Sequence, residues 1–526
     1  MTSHKTSRHS LINKTIHIGI STLISRVLGF VREFVQLNYL GIGGASDAFI
    51  TAFRIPNSLR KIFAEGALTA AFLPAFVKVV NKEGTQAASN LMSMTVIIFE
   101  GIVLGLCFVM SIYSRTILHF LVPGWFENPA FFEQLALATS LSHILIYFIF
   151  FISCSSLLAA ALQAHHHFFV PAIGQIVMNV FFIAQLLVLS YYHAPVQYLA
   201  YGILINGVVL VSMHVYAYYK EGFNFPIPQW HKGFGMVMII IKKFFPCLIS
   251  AGILEINLFI DQNLASYLPQ GSASLLYYAN AFGRFPLSVF VGALSTILLP
   301  HFATVHTYAP RRLKFYLFES TKLIFWIMIP ATCLMSVFSY KIFETMAFSE
   351  SFTPEHLYQL SLLLRTFAAG LFFFSCNKIL LTVYYARHET FIPTIIALIC
   401  ALINTVLSII LMYPFQVIGI NAATSIAAAI QMIIFLVILH YKYALTFPVK
   451  RFILFVRAAS VQIIVWGLVL FILYCVAAYS ISFMACSHFF MNKLGYWLWV
   501  GPLCLLCACG FYLTRSFFGI KLYFLP

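Results

Sequence analysis

The sequence predicts an all-α protein that crosses a membrane about fourteen times. Hydrophobic residues make up 61% of its 526 residues and charged residues only 9%, and its mean hydropathy is +0.93, a composition that would make a soluble domain aggregate. Apolar stretches of roughly 20 residues, enough for a helix to cross about 30 Å of hydrocarbon, recur along the whole chain. No polar stretch is long enough to form a soluble domain. Any function must therefore reside between membrane helices.

The predicted membrane spans follow one another with short connections. They cover residues 11–40, 46–80, 90–113, 134–161, 168–190, 197–219, 237–268, 271–303, 313–339, 354–385, 390–412, 416–441, 453–478 and 495–514. With the N-terminal stretch MTSHKTSRHSLINKT retained in the cytoplasm, this layout places most lysines and arginines of the connecting segments on the cytoplasmic side. The outer segments hold only Arg115, Lys341 and Lys493. We therefore expect a cytoplasmic N-terminus, and we interpret the net charge of +16 as a topology signal rather than a nucleic-acid interface.

An internal repeat predicts two lobes. The second span contains AFRIP at 52–56 and GALTAAFLPAF at 66–76, and the eighth contains AFGRFP at 281–286 and GALSTILLPHF at 292–302. The copies are six helices apart in the succession, an even number, so both have the same orientation, as in the parallel repeats of some transporters. The predicted parts are an N-terminal six-helix lobe over 1–222, a C-terminal six-helix lobe over 223–445, and two further helices over 446–526.

Charged residues inside the predicted spans indicate a cavity. A charge at the bilayer centre costs at least about 2.5–3.5 kcal/mol, so such residues usually face a bundle interior or a water-filled cavity. In the first lobe the arginines outnumber the nearby acids; these residues are Arg26, Arg32, Arg54 and Arg60, with Glu33, Asp47 and Glu65. An excess of guanidinium groups favours an anion, and their planar fork fits diphosphate oxygens.

A simpler interpretation of some of these charges remains open. Arg32 with Glu33, and Lys61 with Glu65, can form local ion pairs near helix ends, and for Lys61 we favour this interpretation. It does not explain the whole set, because positive charge is left over.

In the second lobe, Glu319 and Lys322 are three residues apart, which predicts a local ion pair. Asp261 has no nearby cation in the sequence, so it is either paired across helices or a ligand of a coupling ion. The three histidines at 165–167 point in three directions from a helix, which favours a wet helix end over a metal site.

Two stretches identify a family. SRVLGFVRE at 25–33 and SDAFITAFRIPNSLRKIFAEGALTAAFLPAF at 46–76 resemble the signature of the MurJ (MviN) lipid II flippases, in the superfamily of multidrug, oligosaccharidyl-lipid and polysaccharide exporters. The resemblance is dense over 21–80 and continues more thinly through GSASLLYYANAF at 271–282 and YYARHETFIPT at 384–394. It implies two six-helix lobes around a cationic cavity, with two additional helices that form a lipid-facing groove.

The implied activity is alternating-access transport in the bacterial inner membrane. Undecaprenyl-diphosphate disaccharide-pentapeptide, or lipid II, would move from the cytoplasmic to the outer leaflet for peptidoglycan synthesis. The family's cavity arginines match Arg26, Arg32 and Arg60, and Asp47 and Asn57 match other motif positions.

The eighth helix departs from the family pattern. In YYANAFGR, Asn280 is followed by Ala281 where the family commonly has arginine. Arg284 stands three residues later and is the repeat partner of Arg54, so we predict that it supplies the missing charge. The predicted substrate-binding residues are Arg26, Arg32, Asp47, Arg54, Asn57, Arg60 and Arg284.

The energy source is left open between two candidates. The chain contains no GxxxxGK[ST] sequence, so we expect no nucleotide hydrolysis. Membrane potential is the favoured drive, and Na⁺ coupling is the alternative. Some relatives bind Na⁺ at positions that match Asp261 and Asn404, but Ser408 replaces a second acid expected there. We expect no cofactor and no resident metal.

We expect a monomer that binds lipid II and membrane lipids, with cell-wall synthases as possible partners and no nucleic acid. The alternatives are an exporter of drugs or of another lipid-linked glycan, and a non-transporting scaffold with the same fold. An enzyme is not expected, because a metal-dependent glycosyltransferase needs clustered acids and the only aspartates, Asp47 and Asp261, are far apart in sequence.

Overall fold

A computed structural model describes most of the chain. It covers residues 8–64, 67–165, 167–348, 352–443, 447–483, 489, 492–493 and 495–524. Almost all of these residues are helical, and none of them forms a strand. The predicted all-α membrane fold is confirmed.

The helices are numbered in chain order. They are α1 Arg8–Leu40, α2 Gly44–Ala64, α3 Ala67–Thr95, α4 Gly101–Ile112, α5 Ser114–Leu121, α6 Gly124–Glu127, α7 Phe132–Leu145, α8 Phe148–Ala164, α9 Phe169–Tyr191, α10 Val196–Lys220, α11 Trp230–Ala265, α12 Ser272–Pro286, α13 Gly292–Tyr308, α14 Leu313–Val337, α15 Ser339–Met346, α16 Pro354–Ala386, α17 Phe391–Tyr443, α18 Val449–Ser482 and α19 Gly495–Leu513. Two π-helical turns, Val96–Glu100 and Leu287–Val291, join α3 to α4 and α12 to α13.

Two helices contain a backbone break that separates successive passes. Gly84 interrupts α3 with φ 83°, between the predicted second and third spans. Gln416 interrupts α17 with φ 49° and ψ −131°, at the first residue of the predicted twelfth span. With these breaks counted, the helices agree with the predicted succession of about fourteen passes.

Within the described residues, ten stretches are long and apolar enough to cross a membrane. Apolarity therefore marks most of the predicted passes.

The chain folds into two compact units. The first comprises residues 1–282 and 405–420, and the second comprises 283–404 and 421–526. In the first unit α1 packs against α9, α2 against α7 and α8, and α3 against α11. In the second unit α13 and α14 pack against α16, and α18 packs against α19. The division into six-helix lobes over 1–222 and 223–445 stays a prediction.

Gly124 marks a close backbone approach in the first unit. A Cβ atom at this position would lie 2.5 Å from the carbonyl oxygen of Ser266 and 2.8 Å from the amide nitrogen of Tyr267. The Gly124 amide also donates a hydrogen bond to the Ser266 hydroxyl at 3.1 Å. Only glycine fits here without displacing the end of α11.

We expect Gly124→Ala to destabilise the protein by about 1–3 kcal/mol, because the added methyl group overpacks against backbone that cannot rotate away. Thermal unfolding of the purified protein in detergent measures the effect. Gly105→Ala is the matched control, because nothing lies within 4 Å of a Cβ at that position in α4. Equal melting temperatures for the two variants would contradict this account.

Candidate functional site

One face of α2 is polar along its whole length. Thr51, Arg54, Ser58 and Lys61 recur at intervals of three and four residues, so they lie on the same side of the helix. A membrane helix with such a face needs polar partners. The partners are on α11 and at the start of α12.

The middle of this face contacts Gln262 of α11. The Nη2 atom of Arg54 donates to Oε1 of Gln262 at 2.6 Å, and Nε2 of Gln262 donates to the Thr51 hydroxyl at 2.7 Å. The guanidinium carbon of Arg54 lies 6.0 Å from the centre of the Tyr277 ring, within the range of a cation–π interaction. Arg54 is therefore held by a neutral amide and an aromatic face.

The later part of the face contacts Glu255 of α11. The Lys61 ammonium forms an ion pair with the Glu255 carboxylate at 3.1 Å, and the Ser58 hydroxyl donates to the same carboxylate at 2.9 Å. The predicted local partner of Lys61, Glu65, lies outside the described residues. The ion pair that is observed for Lys61 joins two helices that are far apart in sequence.

At the beginning of α2, Asp47 binds the first turn of α12. Its side chain is buried, with 2% exposed. Oδ2 accepts from the Gly271 amide and Oδ1 from the Ser274 amide, both at 2.7 Å. These amides lie at the positive end of the α12 dipole, so a carboxylate from another helix caps α12. We call this arrangement the Asp47 cap.

Along α11 and into α12, the contact residues come in the order Glu255, Gln262 and Ser274. Their partners on α2 come in the reverse order of the chain, as Ser58, Arg54 and Asp47. The three contacts therefore form an antiparallel polar ladder between α2 and the α11–α12 segment. All of it lies within the first unit.

On α1, Arg32 is engaged in the local ion pair that one interpretation of the sequence predicted. Its Nη2 atom lies 2.5 Å from Oε1 of Glu33, and its Nη1 atom donates to Oδ1 of Asn179 at 3.3 Å. The guanidinium carbon also lies 5.4 Å from the centre of the Phe182 ring on α9. The Tyr277 hydroxyl donates to Glu33 at 3.2 Å. Arg32 thus connects α1 to α9.

The remaining predicted substrate-binding residues of the first unit are only partly buried. Nε of Arg60 donates to Oδ1 of Asn57 at 3.1 Å, one helical turn away on α2. Arg26 is half-buried on α1. Arg54 and Asn57 also line a small pocket together with Gln36. Arg60 and Asn57 are therefore preorganised against one another.

The second unit contains Arg284, half-buried on α12, and Asn404, buried on α17. Asp261 is buried on α11 in the first unit. Compensation by Arg284 and ion binding by Asp261 and Asn404 stay predictions. The predicted pair of Glu319 and Lys322 is confirmed by an ion pair at 2.8 Å.

Sequence reasoning missed the partners of the α2 face. Glu255 and Gln262 are seven residues apart, so they share a side of α11, and this spacing was an available signal. It also missed Glu221, whose carboxylate lies 2.9 Å from Nδ1 of His165 and 2.8 Å from Nδ1 of His167. The described residues contain no group of three or more His, Cys, Asp and Glu side chains that could hold a metal ion.

Comparisons with known proteins agree on one family. Residues 37–492 match the family model described as lipid II flippase MurJ. The probable lipid II flippase MurJ of Vibrio cholerae is 30% identical over 437 residues, which are 80% of this chain and 81% of the relative. The corresponding protein of Haemophilus influenzae is 29% identical over 425 residues, 78% of this chain and 82% of the relative.

Solved structures share the fold. A lipid II flippase MurJ in an inward closed conformation matches with a TM-score of 0.76 at 24% identity, covering 96% of this chain and 98% of that one. An inward-facing multidrug resistance MATE transporter of the MOP superfamily matches with a TM-score of 0.66 at 15% identity, covering 81% and 98%.

Removal of the Asp47 carboxylate tests the cap. We expect Asp47→Ala to destabilise the protein by about 2–5 kcal/mol, because two buried amides at the start of α12 lose a charged acceptor. Thermal unfolding in detergent measures the loss. Ser274→Ala is the matched control: it keeps the amide that Asp47 binds and removes only the hydroxyl, which donates to the Gly271 carbonyl oxygen. The account is wrong if Asp47→Ala melts at the same temperature as this control.

Proposed function

Because this chain belongs to the MurJ family of lipid II flippases, we propose that it moves lipid II from the cytoplasmic to the outer leaflet by alternating access. It is a multi-pass transporter of the bacterial inner membrane, and lipid II is its substrate. The observation that supports the proposed mechanism is the polar, cationic face of α2.

The diphosphate of lipid II suits this face chemically. The contacts described for Arg54 and Arg60 are to amide oxygens of Gln262 and Asn57. Hydrogen bonds from guanidinium groups to charged oxygens are roughly twice as strong as neutral ones. A diphosphate that enters beside α2 would therefore accept strong, charge-assisted hydrogen bonds from both arginines, and the planar guanidinium fork can bind its oxygens in pairs. The proposed binding residues are Arg26, Arg32, Asp47, Arg54, Asn57, Arg60 and Arg284.

The polar ladder supplies the proposed outer gate. With the N-terminus in the cytoplasm, as we propose, α2 begins at the outer surface, so the Asp47 cap is the outermost contact of the ladder. The Lys61–Glu255 ion pair is the innermost. Opening to the outside then requires α2 to separate from α11 and α12, and the polar groups of each contact can then bind water or substrate.

We further propose that the lipid tail stays in the bilayer along α18 and α19. Only 6% of the residues in the most apolar stretch of α18 are buried in the protein, and large apolar side chains such as those of Leu454, Leu468 and Phe471 are exposed. An apolar helix with so little protein contact suits a position against a polyprenyl chain.

Membrane potential is the proposed drive, because about 2.3 kcal/mol is available per charge per 100 mV and the cargo and its arginines are charged. Na⁺ binding by Asp261 and Asn404 is the alternative source of energy. We propose that the protein acts as a monomer, makes and breaks no covalent bond in its substrate, and delivers lipid II to cell-wall synthases.

The arginines can be tested by the accessibility of lipid II to an outside reagent in proteoliposomes. We expect Arg60→Ala and Arg284→Ala each to slow translocation about 10–100-fold, the effect of losing one hydrogen bond to a charged group. Arg115→Ala is the control, because Arg115 is exposed on the short helix α5.

Three outcomes would contradict the proposal in different ways. Normal translocation by Arg284→Ala alongside a slow Arg60→Ala would show that Arg284 does not replace the arginine missing at Ala281. Translocation of another lipid-linked glycan but not lipid II by the wild-type protein would overturn the substrate, and no translocation of either would favour a scaffold.

A further inference from the structure

A buried acid lies in the first unit outside the proposed substrate site. Glu100 is the last residue of the π-helical turn Val96–Glu100, between the break at Gly84 and the end of α4 at Ile112. Its side chain is 3% exposed. The position is near the middle of a membrane-crossing stretch, where an ionisable side chain usually has a function.

The surroundings of Glu100 offer hydrogen bonds but no compensating charge. The Ser153 hydroxyl donates to Oε1 at 2.7 Å, and Oε2 has no hydrogen-bond partner among the described residues. The π-helical turn packs against α3, α4 and α8. The titratable groups that face Glu100 from these helices are the thiols of Cys107 on α4 and Cys154 on α8. Within the described chain, no Lys, Arg or His nitrogen forms an ion pair with it.

This environment accommodates a carboxylic acid better than a carboxylate. Burial of an ion without a partner costs several kcal/mol even after the protein relaxes. A neutral acid keeps the hydrogen bond from Ser153 and avoids that cost. The π-helical geometry adds an independent indication, because π-helical turns are rare and frequently lie at functional sites.

The helix that contacts Glu100 also contacts the proposed substrate helix. Ser153 and Cys154 belong to α8, and α8 packs against α2, which holds Arg54 and Arg60. A change in the charge of Glu100 would alter its contacts with α8, and a shift of α8 would be transmitted to α2. The acid is thus one helix removed from the cationic face.

We propose that Glu100 is a proton-binding site whose occupation alternates during the transport cycle. H⁺ is then a coupling ion for the movement of lipid II, a role that rests on the proposed function. On one side of the membrane an O–H bond of a hydronium ion breaks and an O–H bond forms on the carboxylate, leaving water. After the conformational change the proton passes to a water molecule on the other side, which re-forms hydronium and the carboxylate.

The rival explanation is a purely structural hydrogen bond between the π-helical turn and α8. Glu100→Gln separates the two, because glutamine keeps a side-chain oxygen that can accept from Ser153 but cannot bind and release a proton. Glu133→Gln is the matched control, because it makes the same chemical change at an exposed residue of α7.

The first experiment measures lipid II translocation in proteoliposomes with the electrical potential clamped and a difference of one pH unit imposed in either direction. We expect wild type and Glu133→Gln to respond by up to about tenfold, since one pH unit is a tenfold change in proton activity. Glu100→Gln should retain its fold and translocate at a rate that ignores the gradient. An equal response to pH by Glu100→Gln and wild type would overturn the proposal.

A second measurement does not depend on transport. Infrared difference spectroscopy should detect a protonated carboxylic acid in wild type and Glu133→Gln at neutral pH, and that band should be absent from Glu100→Gln. A wild type that fails to move lipid II under any gradient would overturn the proposed function, whereas a band unaffected by Glu100→Gln would overturn the proton site alone.

Discussion

The Asp47 cap fixes the register of the polar ladder. Its buried carboxylate accepts from the amides of Gly271 and Ser274, and hydrogen bonds to a charged group are worth about 1.5–3 kcal/mol each. Because α2 is a continuous helix from Gly44 to Ala64, fixing its first turn determines how far along α11 each later residue reaches. The contact of Arg54 with Gln262 and the ion pair of Lys61 follow from that register.

A transporter needs contacts that hold one state and can still be exchanged. An apolar interface between α2 and α11 would gain little from opening to water, whereas hydroxyl, amide and charged groups can trade protein partners for water or for phosphate oxygens. Gln262 shows the principle: it is an acceptor for Arg54 and a donor to Thr51, and both roles can be taken over by water. The same chemistry that makes α2 unusual for a membrane helix therefore suits it to a moving interface.

The sequence was sufficient for the passes but not for long-range polar partners. Apolar length predicts nearly every helix, and the backbone breaks at Gly84 and Gln416 lie where one predicted span gives way to the next. The family motif selected Asp47 and Arg60 without showing what they contact. The ion pair of Lys61 with Glu255 depends on how α2 and α11 pack, so proximity in the sequence could not reveal it. Nothing in the sequence indicated that α12 would be capped by a side chain of α2.

A reversible cross-link across the Asp47 cap tests most directly whether this contact opens during transport. A Cβ atom on Gly44 would lie 3.1 Å from Cδ of Gln270, so Gly44→Cys and Gln270→Cys together give a pair that a short bifunctional thiol reagent can join in a background without native cysteines. We expect a reducible cross-link to stop lipid II translocation and reduction to restore it, with either single variant unaffected by the reagent. Translocation at the normal rate by the cross-linked protein would contradict the account.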